Sequence, residues 1–264
     1  MLPADTRPAV ALTAPVGPAD APLLVLGTSL GTSTILWDDV VPLLSDSFRL
    51  VAWDLPGHGA SPAPAAAFTV GELADAVAAA VADDTFFYAG VSLGGATGLE
   101  LALRHPHRVR AAAIIASGAQ LGDPAGWTDR AAQARTQSTS SLIAASAGRW
   151  FAPDSMARRP EISGRLLHAL QDADDEGYAR CCEALAAYDV RSQLSEIALP
   201  VLAAWGEHDA VAPESKAREI ADGVRHGASV RIDGAGHLPP AEQPEAVART
   251  LRAFVARVIE EDAA

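Results

Sequence analysis

Ser92 lies between two glycines in the segment Gly90-Val91-Ser92-Leu93-Gly94, where an apolar run ends and a helical pattern begins. A serine hydroxyl is a poor nucleophile unless a nearby base takes its proton. On a tight strand-to-helix turn, a strained backbone can lift the serine Oγ off the sheet, and flanking glycines permit the close approach that this requires. The Leu93 amide and the positive end of the helix would then face a developing oxyanion. The alternative interpretation is an ordinary strand-to-helix connection.

Two further residues have the chemistry and the chain order that such a serine needs. His237, in the string GAGHLPP, follows the last apolar run and could act as the base. Asp209 follows the apolar run VLAAWG and could orient the imidazole. The order serine, acid, histidine is the one that accompanies this kind of turn. Other candidates for the acid are Glu207, His208 and Asp123.

The string DLPGHG, residues 54–59, contains an acid and a histidine but is interpreted as a turn. The side chains of Asp54 and His58 are expected to bond nearby backbone groups. His168 lies in a helical stretch and could line a pocket. No two histidines and a carboxylate have the spacing of metal ligands, so the sequence predicts no metal site.

The elements that must position these residues alternate between apolar runs and helical patterns. Runs that are apolar throughout are typical of parallel strands covered on both faces. Strands are predicted within residues 21–29, 48–59, 84–92, 109–118, 199–209 and 228–237. Core helices are predicted at residues 70–82, 94–104, 213–222 and 243–260. The alternation predicts an α/β fold with a mostly parallel, doubly wound sheet. In such folds the functional residues lie at the carboxyl ends of the strands.

Residues 121–197 interrupt this alternation, because they contain helical patterns and no good strand. Helices are predicted there at residues 128–148, 159–170, 176–188 and 192–197. We interpret this segment as a helical cap over the strand ends, inserted late in the sheet. The core would then consist of two parts, residues 1–120 and 198–264.

Composition argues against several classes of function. The chain has 264 residues and a net charge of −13, with no run rich in Lys or Arg, so a nucleic-acid partner is not expected. It has no apolar run of 18 residues and no signal-peptide pattern at its start, so no membrane association is expected. Cys181 and Cys182 are adjacent, which disfavours a disulfide between them and fits a reducing, cytoplasmic location. The oligomeric state stays open.

Four strings carry a resemblance to a known family: TSLGTSTILWDDVVPLLSDSFRLVAWDLPGHGASPAP, DPAGWTDRAAQAR, GRWFAP and YARCCEALAAYDVR. They resemble the 3-oxoadipate enol-lactonases, within the α/β-hydrolases, and the wider resemblance covers nearly the whole chain. It implies a cofactor-free enzyme that hydrolyses a small anionic lactone to 3-oxoadipate, in aromatic-acid catabolism by the β-ketoadipate pathway. It also implies that the Leu30 amide is a second oxyanion donor, although Thr28-Ser29-Leu30 departs from the His-Gly pattern of many relatives.

An anionic substrate needs a cation, and arginine suits a carboxylate because its donors form a planar fork. The resemblance favours Arg130, which follows Trp127 in one of the four strings, and then Arg135 and Arg149. Trp127 and Trp150 are interpreted first as cap core and second as a wall for a flat ring.

Three alternatives to an enol-lactonase remain open from the sequence. The first is another small-ester or lactone hydrolase, and the second is a cofactor-free perhydrolase of the same fold. Both would keep Ser92, Asp209 and His237 and would differ in the pocket. The third is a non-catalytic protein that binds a ligand on this fold.

Overall fold

The computed structural model describes residues 7–263 and is built around one sheet of six parallel strands. The strands are β1 (Leu23–Gly27), β2 (Arg49–Trp53), β3 (Phe86–Val91), β4 (Val109–Ile115), β5 (Pro200–Gly206) and β6 (His226–Ile232). Each strand overlaps one of the predicted apolar runs, and helices flank the sheet, so the predicted α/β fold is confirmed. The two predicted core segments, 1–120 and 198–264, include residues 1–6 and 264, which lie outside the described residues.

Eleven α-helices are assigned within the described residues: α1 (Val41–Leu44), α2 (Val70–Ala80), α3 (Leu93–Arg104), α4 (Pro124–Gln137), α5 (Ile143–Trp150), α6 (Ser155–Arg158), α7 (Pro160–Asp172), α8 (Asp175–Ala186), α9 (Glu214–Gly223), α10 (Pro239–Glu242) and α11 (Pro244–Asp262). Short 3-10 helices cover Thr34–Trp37, Thr139–Leu142 and Arg191–Glu196. Local signals explain several starts. Thr69 and Glu72 form a capping box at α2, and Asp123 accepts the Gly126 amide at the start of α4.

The strand order β2-β1-β3-β4-β5-β6 creates a switch point beside β1. The chain leaves β1 for the edge strand β2 and then crosses back to β3 on the other side of β1. The connections after β1 and β3 therefore diverge, and open α/β sheets bind their ligands in the crevice formed at such a point. Gly27 at the end of β1 is paired in register with Gly90, so the loop after β1 (residues 28–33) begins next to Ser92.

The segment between β4 and β5, residues 116–199, is helical and contains no strand, as the sequence predicts. The prediction of a single helix over residues 128–148 was wrong. The chain breaks at Ser138, which has a φ of 66°, and continues through a 3-10 turn into α5. The break lies in a run of Ser and Thr residues whose hydroxyls bond the local backbone, and such bonds compete with a continuous helix.

The core lies around the central strands. Every residue of β1 and β3 is buried, whereas β6, at the edge of the sheet, is largely accessible. The largest fully buried side chains include Trp37, Trp53 and Tyr88. Within residues 7–263, the helices are too short or too polar to cross a membrane.

Candidate active site

Ser92 joins β3 to α3 with a backbone conformation that side-chain-bearing residues rarely adopt, with φ of 56° and ψ of −114°. Such a conformation costs about 1–3 kcal/mol and persists only where the surroundings impose it. The Ser92 amide donates to the Ile115 carbonyl at 2.9 Å, and the Ser117 hydroxyl donates to the Ser92 carbonyl at 2.7 Å. The end of β4 and the residues after it therefore hold the turn in place.

Glycines on both sides of Ser92 are required by close backbone approach. A Cβ on Gly90 would lie 2.3 Å from the Gly94 carbonyl oxygen, and one on Gly94 would lie 2.7 Å from the Thr28 carbonyl oxygen. The Gly94 amide donates to that Thr28 carbonyl at 3.0 Å, and the Tyr88 hydroxyl donates to the Gly94 carbonyl at 2.7 Å. The start of α3 is thus joined directly to the loop after β1.

His237 follows β6, Asp209 follows β5, and their buried side chains are hydrogen bonded. The His237 Nδ1 lies 3.0 Å from Asp209 Oδ2 and 3.1 Å from Oδ1. The Val211 and Ala212 amides donate to Asp209 Oδ1 at 2.8 and 3.0 Å. Burial alone would raise the pKa of Asp209, but His237 and these amides outweigh it and hold the pKa below its usual value. Asp209 is therefore an ionised acceptor for Nδ1–H, which leaves Nε2 as the basic nitrogen of the ring.

Ser92 and His237 line one cavity of about 310 Å³ where the strand ends meet the helices of residues 121–197. This volume is at the lower end of the range for small-molecule sites, roughly 300–1,000 Å³. The cavity is also lined by Leu30, Trp127, Arg130, Arg149, Trp150 and Tyr178. A serine, an imidazole and the carboxylate behind it are the parts that acyl transfer by a serine requires. In the part of the chain that the structure describes, no three His, Cys, Asp or Glu side chains are grouped to hold a metal ion.

Two arginines line this cavity, and neither has a carboxylate partner among residues 7–263. The Arg130 Nε donates to the Tyr178 hydroxyl at 2.6 Å, and one Nη donates to the Ser146 hydroxyl at 2.8 Å. The Arg149 Nε has only a long bond of 3.3 Å to the Ala145 carbonyl in its own helix. Partial burial and the charge of Arg130 lower the pKa of Arg149 from its usual value. The cavity thus carries two arginines without an ion-pair partner among residues 7–263, together with the Asp123 carboxylate, in a protein whose net charge is −13.

Arg135, which the sequence also suggests for substrate binding, is not brought to the cavity. Its guanidinium pairs with Glu176 and Glu183 of α8, at 2.6 Å from each carboxylate. Hydrogen bonds to these two carboxylates raise the pKa of Arg135 above its usual value. Its charge is therefore already satisfied, outside the cavity, by a neighbouring helix.

The two tryptophans are fixed where they line the cavity. The Trp127 Nε1 donates to the Leu121 carbonyl at 2.7 Å. Trp150 packs edge to face against Phe151, with ring centroids 6.3 Å apart, and its carbonyl accepts the His237 amide at 2.8 Å. The last contact joins the residues 121–197 to the loop that holds the histidine.

The amides of Leu30 and Leu93, the two expected oxyanion donors, have no protein acceptor within residues 7–263. Their neighbours in the loop after β1 do: the Ser29 amide donates to the Thr32 hydroxyl at 3.2 Å, and the Thr32 amide donates to the Ser29 carbonyl at 3.0 Å. Leu30 lines the cavity, whereas the Leu93 side chain is fully buried and only its amide, the first of α3, adjoins Ser92. Both groups are free to bind an anion.

His58 is hydrogen bonded to the loop after β1. Its Nε2 accepts the Gly31 amide at 3.1 Å, and its Nδ1 lies 3.0 Å from the Pro56 carbonyl. A ring that accepts at one nitrogen and donates at the other is neutral. Burial lowers the pKa of His58 to about 4, against the opposing effects of the Pro56 carbonyl and Asp174. As expected, His58 bonds backbone, but one of its partners is 27 residues away in sequence.

Tyr178 is a cavity residue that the sequence did not predict. Its hydroxyl holds Arg130, and its ring is stacked on His58 with centroids 5.9 Å apart. Arg130 and Tyr178 are separated by 48 residues, so no local spacing could have paired them. Of the two other acids considered, Glu207 accepts the Gly234 amide, and Asp123 accepts the Gly126 amide at the start of α4 while also lining the cavity.

The chain is similar to proteins of known family and structure. A family model described as the alpha/beta hydrolase fold matches residues 22–244. The 3-oxoadipate enol-lactonase 2 of Acinetobacter baylyi is 34% identical, over 91% of both chains. A pimeloyl-(acyl-carrier protein) methyl ester esterase of Neisseria meningitidis is 31% identical, over 88% of this chain and 76% of that protein. The crystal structure of the enol-lactonase from Burkholderia xenovorans LB400 superposes with a TM-score of 0.89 at 32% identity, covering 94% and 96% of the two chains.

We expect the buried, neutral His58 to make folding stability depend on pH in a defined window. The unfolded chain binds a proton near pH 6.5, whereas folded His58 does so only near pH 4. The free energy of unfolding should therefore fall as the pH drops from about 6.5 to 4, by roughly 3 kcal/mol from this group. Urea unfolding at several pH values measures it.

His58→Gln is the matched variant, because the amide oxygen can still accept the Gly31 N–H and does not titrate in this window. Groups other than His58 titrate equally in both proteins and cancel in the difference. The slope of the free energy of unfolding against pH should be smaller in the variant, by an amount that corresponds to up to one proton taken up on unfolding. Equal slopes would contradict a neutral, buried His58.

Proposed function

We propose that this chain, which belongs to the alpha/beta hydrolase family, is a serine hydrolase that opens 3-oxoadipate enol-lactone to 3-oxoadipate. The observation that carries the proposal is the content of one cavity. It holds Ser92, the Asp209-bound His237 and two arginines that lack carboxylate partners among the described residues. The enol-lactonases among the relatives support the choice of substrate.

The first half of the proposed reaction acylates Ser92. Because Asp209 holds His237 Nδ1, Nε2 is the nitrogen left to take the Ser92 proton as Oγ attacks the lactone carbonyl. The amides of Leu30 and Leu93 would hold the resulting oxyanion. One such donor is worth about 3 kcal/mol of transition-state stabilisation.

The second half releases the product. When the tetrahedral intermediate collapses, the bond between the carbonyl carbon and the ring oxygen breaks, and that oxygen leaves as an enolate. The protonated His237 gives up the proton it took from Ser92 to the enolate, which becomes a ketone that stays attached to the acyl group, and the imidazole is neutral again. Water, activated by His237, then hydrolyses the ester to Ser92 and frees the dicarboxylate product.

The arginine pair supports an anionic substrate. A net charge of −13 repels anions at long range, so a site for an anion needs local cations. Arg130 is held in place by Tyr178 and Ser146, which leaves part of its fork for a ligand, and Arg149 has even fewer protein partners. We propose that the substrate carboxylate binds between these two guanidiniums, with Trp127 and Trp150 forming the wall for the ring.

A hydrolase of small uncharged esters is the nearest alternative, and one of the relatives is named as a methyl ester esterase. It would share the nucleophile and the base but would have no use for two cavity arginines that lack an ion-pair partner among residues 7–263. Nothing in the proposed chemistry needs a cofactor, because nucleophile, base and oxyanion donors all come from the chain. The free, buried thiols of Cys181 and Cys182 fit a reducing compartment, and we therefore propose that the reaction takes place in the cytoplasm.

The proposal is tested with freshly generated 3-oxoadipate enol-lactone, by following the loss of its ultraviolet absorbance. We expect rapid turnover by the wild-type protein. Ser92→Ala should lower kcat by roughly 10³-fold or more, because the nucleophile is lost while the fold remains. Thermal unfolding of the variant controls for the fold. If the wild-type protein leaves the lactone at its spontaneous rate but cleaves p-nitrophenyl acetate, the serine hydrolase stands and the lactonase does not.

Replacing either cavity arginine should impair the anionic substrate selectively. Arg149→Gln and Arg130→Gln should each raise KM for the enol-lactone by about 10- to 100-fold, since a hydrogen bond to a charged group is worth about 1.5–3 kcal/mol. The rate on neutral p-nitrophenyl acetate should change about twofold or less. Arg135→Gln is the matched control, because that arginine is paired with Glu176 and Glu183 outside the cavity. Equal losses on both substrates would dismiss the carboxylate site.

A further inference from the structure

Glu242 is a buried carboxylate that the reaction described above does not use. It lies at the end of α10 with only 5% of its surface accessible. Its Oε1 accepts the Ala152 amide at 2.7 Å, and its Oε2 accepts the Gly236 amide at 2.7 Å. No Lys, Arg or His forms an ion pair with it among residues 7–263. Two short, charge-assisted hydrogen bonds to backbone are therefore what compensates this charge.

The two amides belong to segments that both border the cavity. Gly236 immediately precedes His237, and Ala152 follows Trp150 by two residues. The same segments are joined a second time, because the His237 amide donates to the Trp150 carbonyl at 2.8 Å. They lie so close that a Cβ on Gly236 would be 2.7 Å from the Ala152 nitrogen.

The short helix α10 brings the carboxylate to this place. Pro239 and Pro240 begin the helix directly after His237 and Leu238, and the Glu242 amide donates to the Leu238 carbonyl at 3.2 Å. One turn of helix thus folds the chain back, so that the Glu242 side chain reaches the residue before the histidine. Both oxygens are then taken, one on the histidine loop and one on the chain after α5.

We propose that Glu242 is a positioning residue that couples the base to the helices of residues 121–197. Its carboxylate binds the amides of Gly236 and Ala152 at once. The first bond fixes the position of His237 relative to Ser92. The second fixes the position of the end of α5, with Arg149 and Trp150, at the cavity. This inference rests on the proposed roles of Ser92 and His237. It does not depend on the lactone being the substrate.

Glu242→Gln tests the coupling with little change in shape. The amide NH₂ would face one of the two backbone N–H groups, so that two donors oppose each other. One of the two hydrogen bonds is then lost, while the other can persist. A displacement of the base by a fraction of an ångström to one ångström lowers kcat by about 10- to 100-fold. We expect a loss of that size on p-nitrophenyl acetate, a neutral substrate. On the enol-lactone, we expect a rise in KM in addition, because Arg149 moves with α5.

Val258→Ala is the control for lost stability alone. Val258 is buried in α11, and its truncation lowers the melting temperature without touching the cavity. It should leave kcat within about twofold. A second readout needs no turnover: the deshielded Nδ1 proton of His237, observed by NMR and assigned with His237→Gln, should shift or broaden in Glu242→Gln and stay unchanged in Val258→Ala.

The outcomes separate the two claims. If neither wild type nor variant cleaves the lactone, but Glu242→Gln cleaves the ester more slowly than wild type, the lactonase proposal is rejected and the coupling through Glu242 is retained. If wild-type protein cleaves neither substrate, the serine chemistry is removed, and the His237 proton alone decides the role of Glu242. A Glu242→Gln protein that melts earlier but keeps kcat within twofold and an unchanged His237 proton would overturn the proposal.

Discussion

Ser92 keeps a φ of 56° because its neighbours leave the turn no other conformation. The Ile115 carbonyl takes its amide, the Ser117 hydroxyl takes its carbonyl, and close backbone approach excludes a side chain at Gly90 and Gly94. The strain is imposed where β1 and β3 separate, which is also where the sheet opens a crevice. The sheet topology and the position of Ser92 at the cavity therefore have the same origin.

The other parts of the site are held in place through backbone amides. The Gly31 amide is held by His58, the His237 amide by the Trp150 carbonyl, and the Gly236 amide by Glu242. Main-chain positions are hard to shift by rotamer changes, so this arrangement pre-organises the site for charge that develops in a transition state. Arg130 and Arg149, which form no ion pair among residues 7–263, add a local positive field inside a strongly acidic protein.

The six strands of the sheet could be predicted from the sequence, because buried parallel strands are apolar throughout. Each of the six apolar runs contains or overlaps one strand. It also indicated the pairing of Asp209 with His237, since both follow strand ends that meet at one edge. The break at Ser138, the Arg130–Tyr178 contact and the engagement of Arg135 by α8 could not be predicted. They depend on how separate helices pack, and no periodicity in one segment encodes that.

The proposed reaction depends on a covalent ester between Ser92 and the opened lactone. Rapid-quench mass spectrometry of the wild-type protein, mixed with enol-lactone and then digested, tests it most directly. Because the leaving oxygen stays attached to the acyl chain, we expect the peptide containing Ser92 to gain the whole mass of the lactone early in turnover. Turnover with the adduct on another residue, or with no adduct at any quench time while product accumulates, would contradict it.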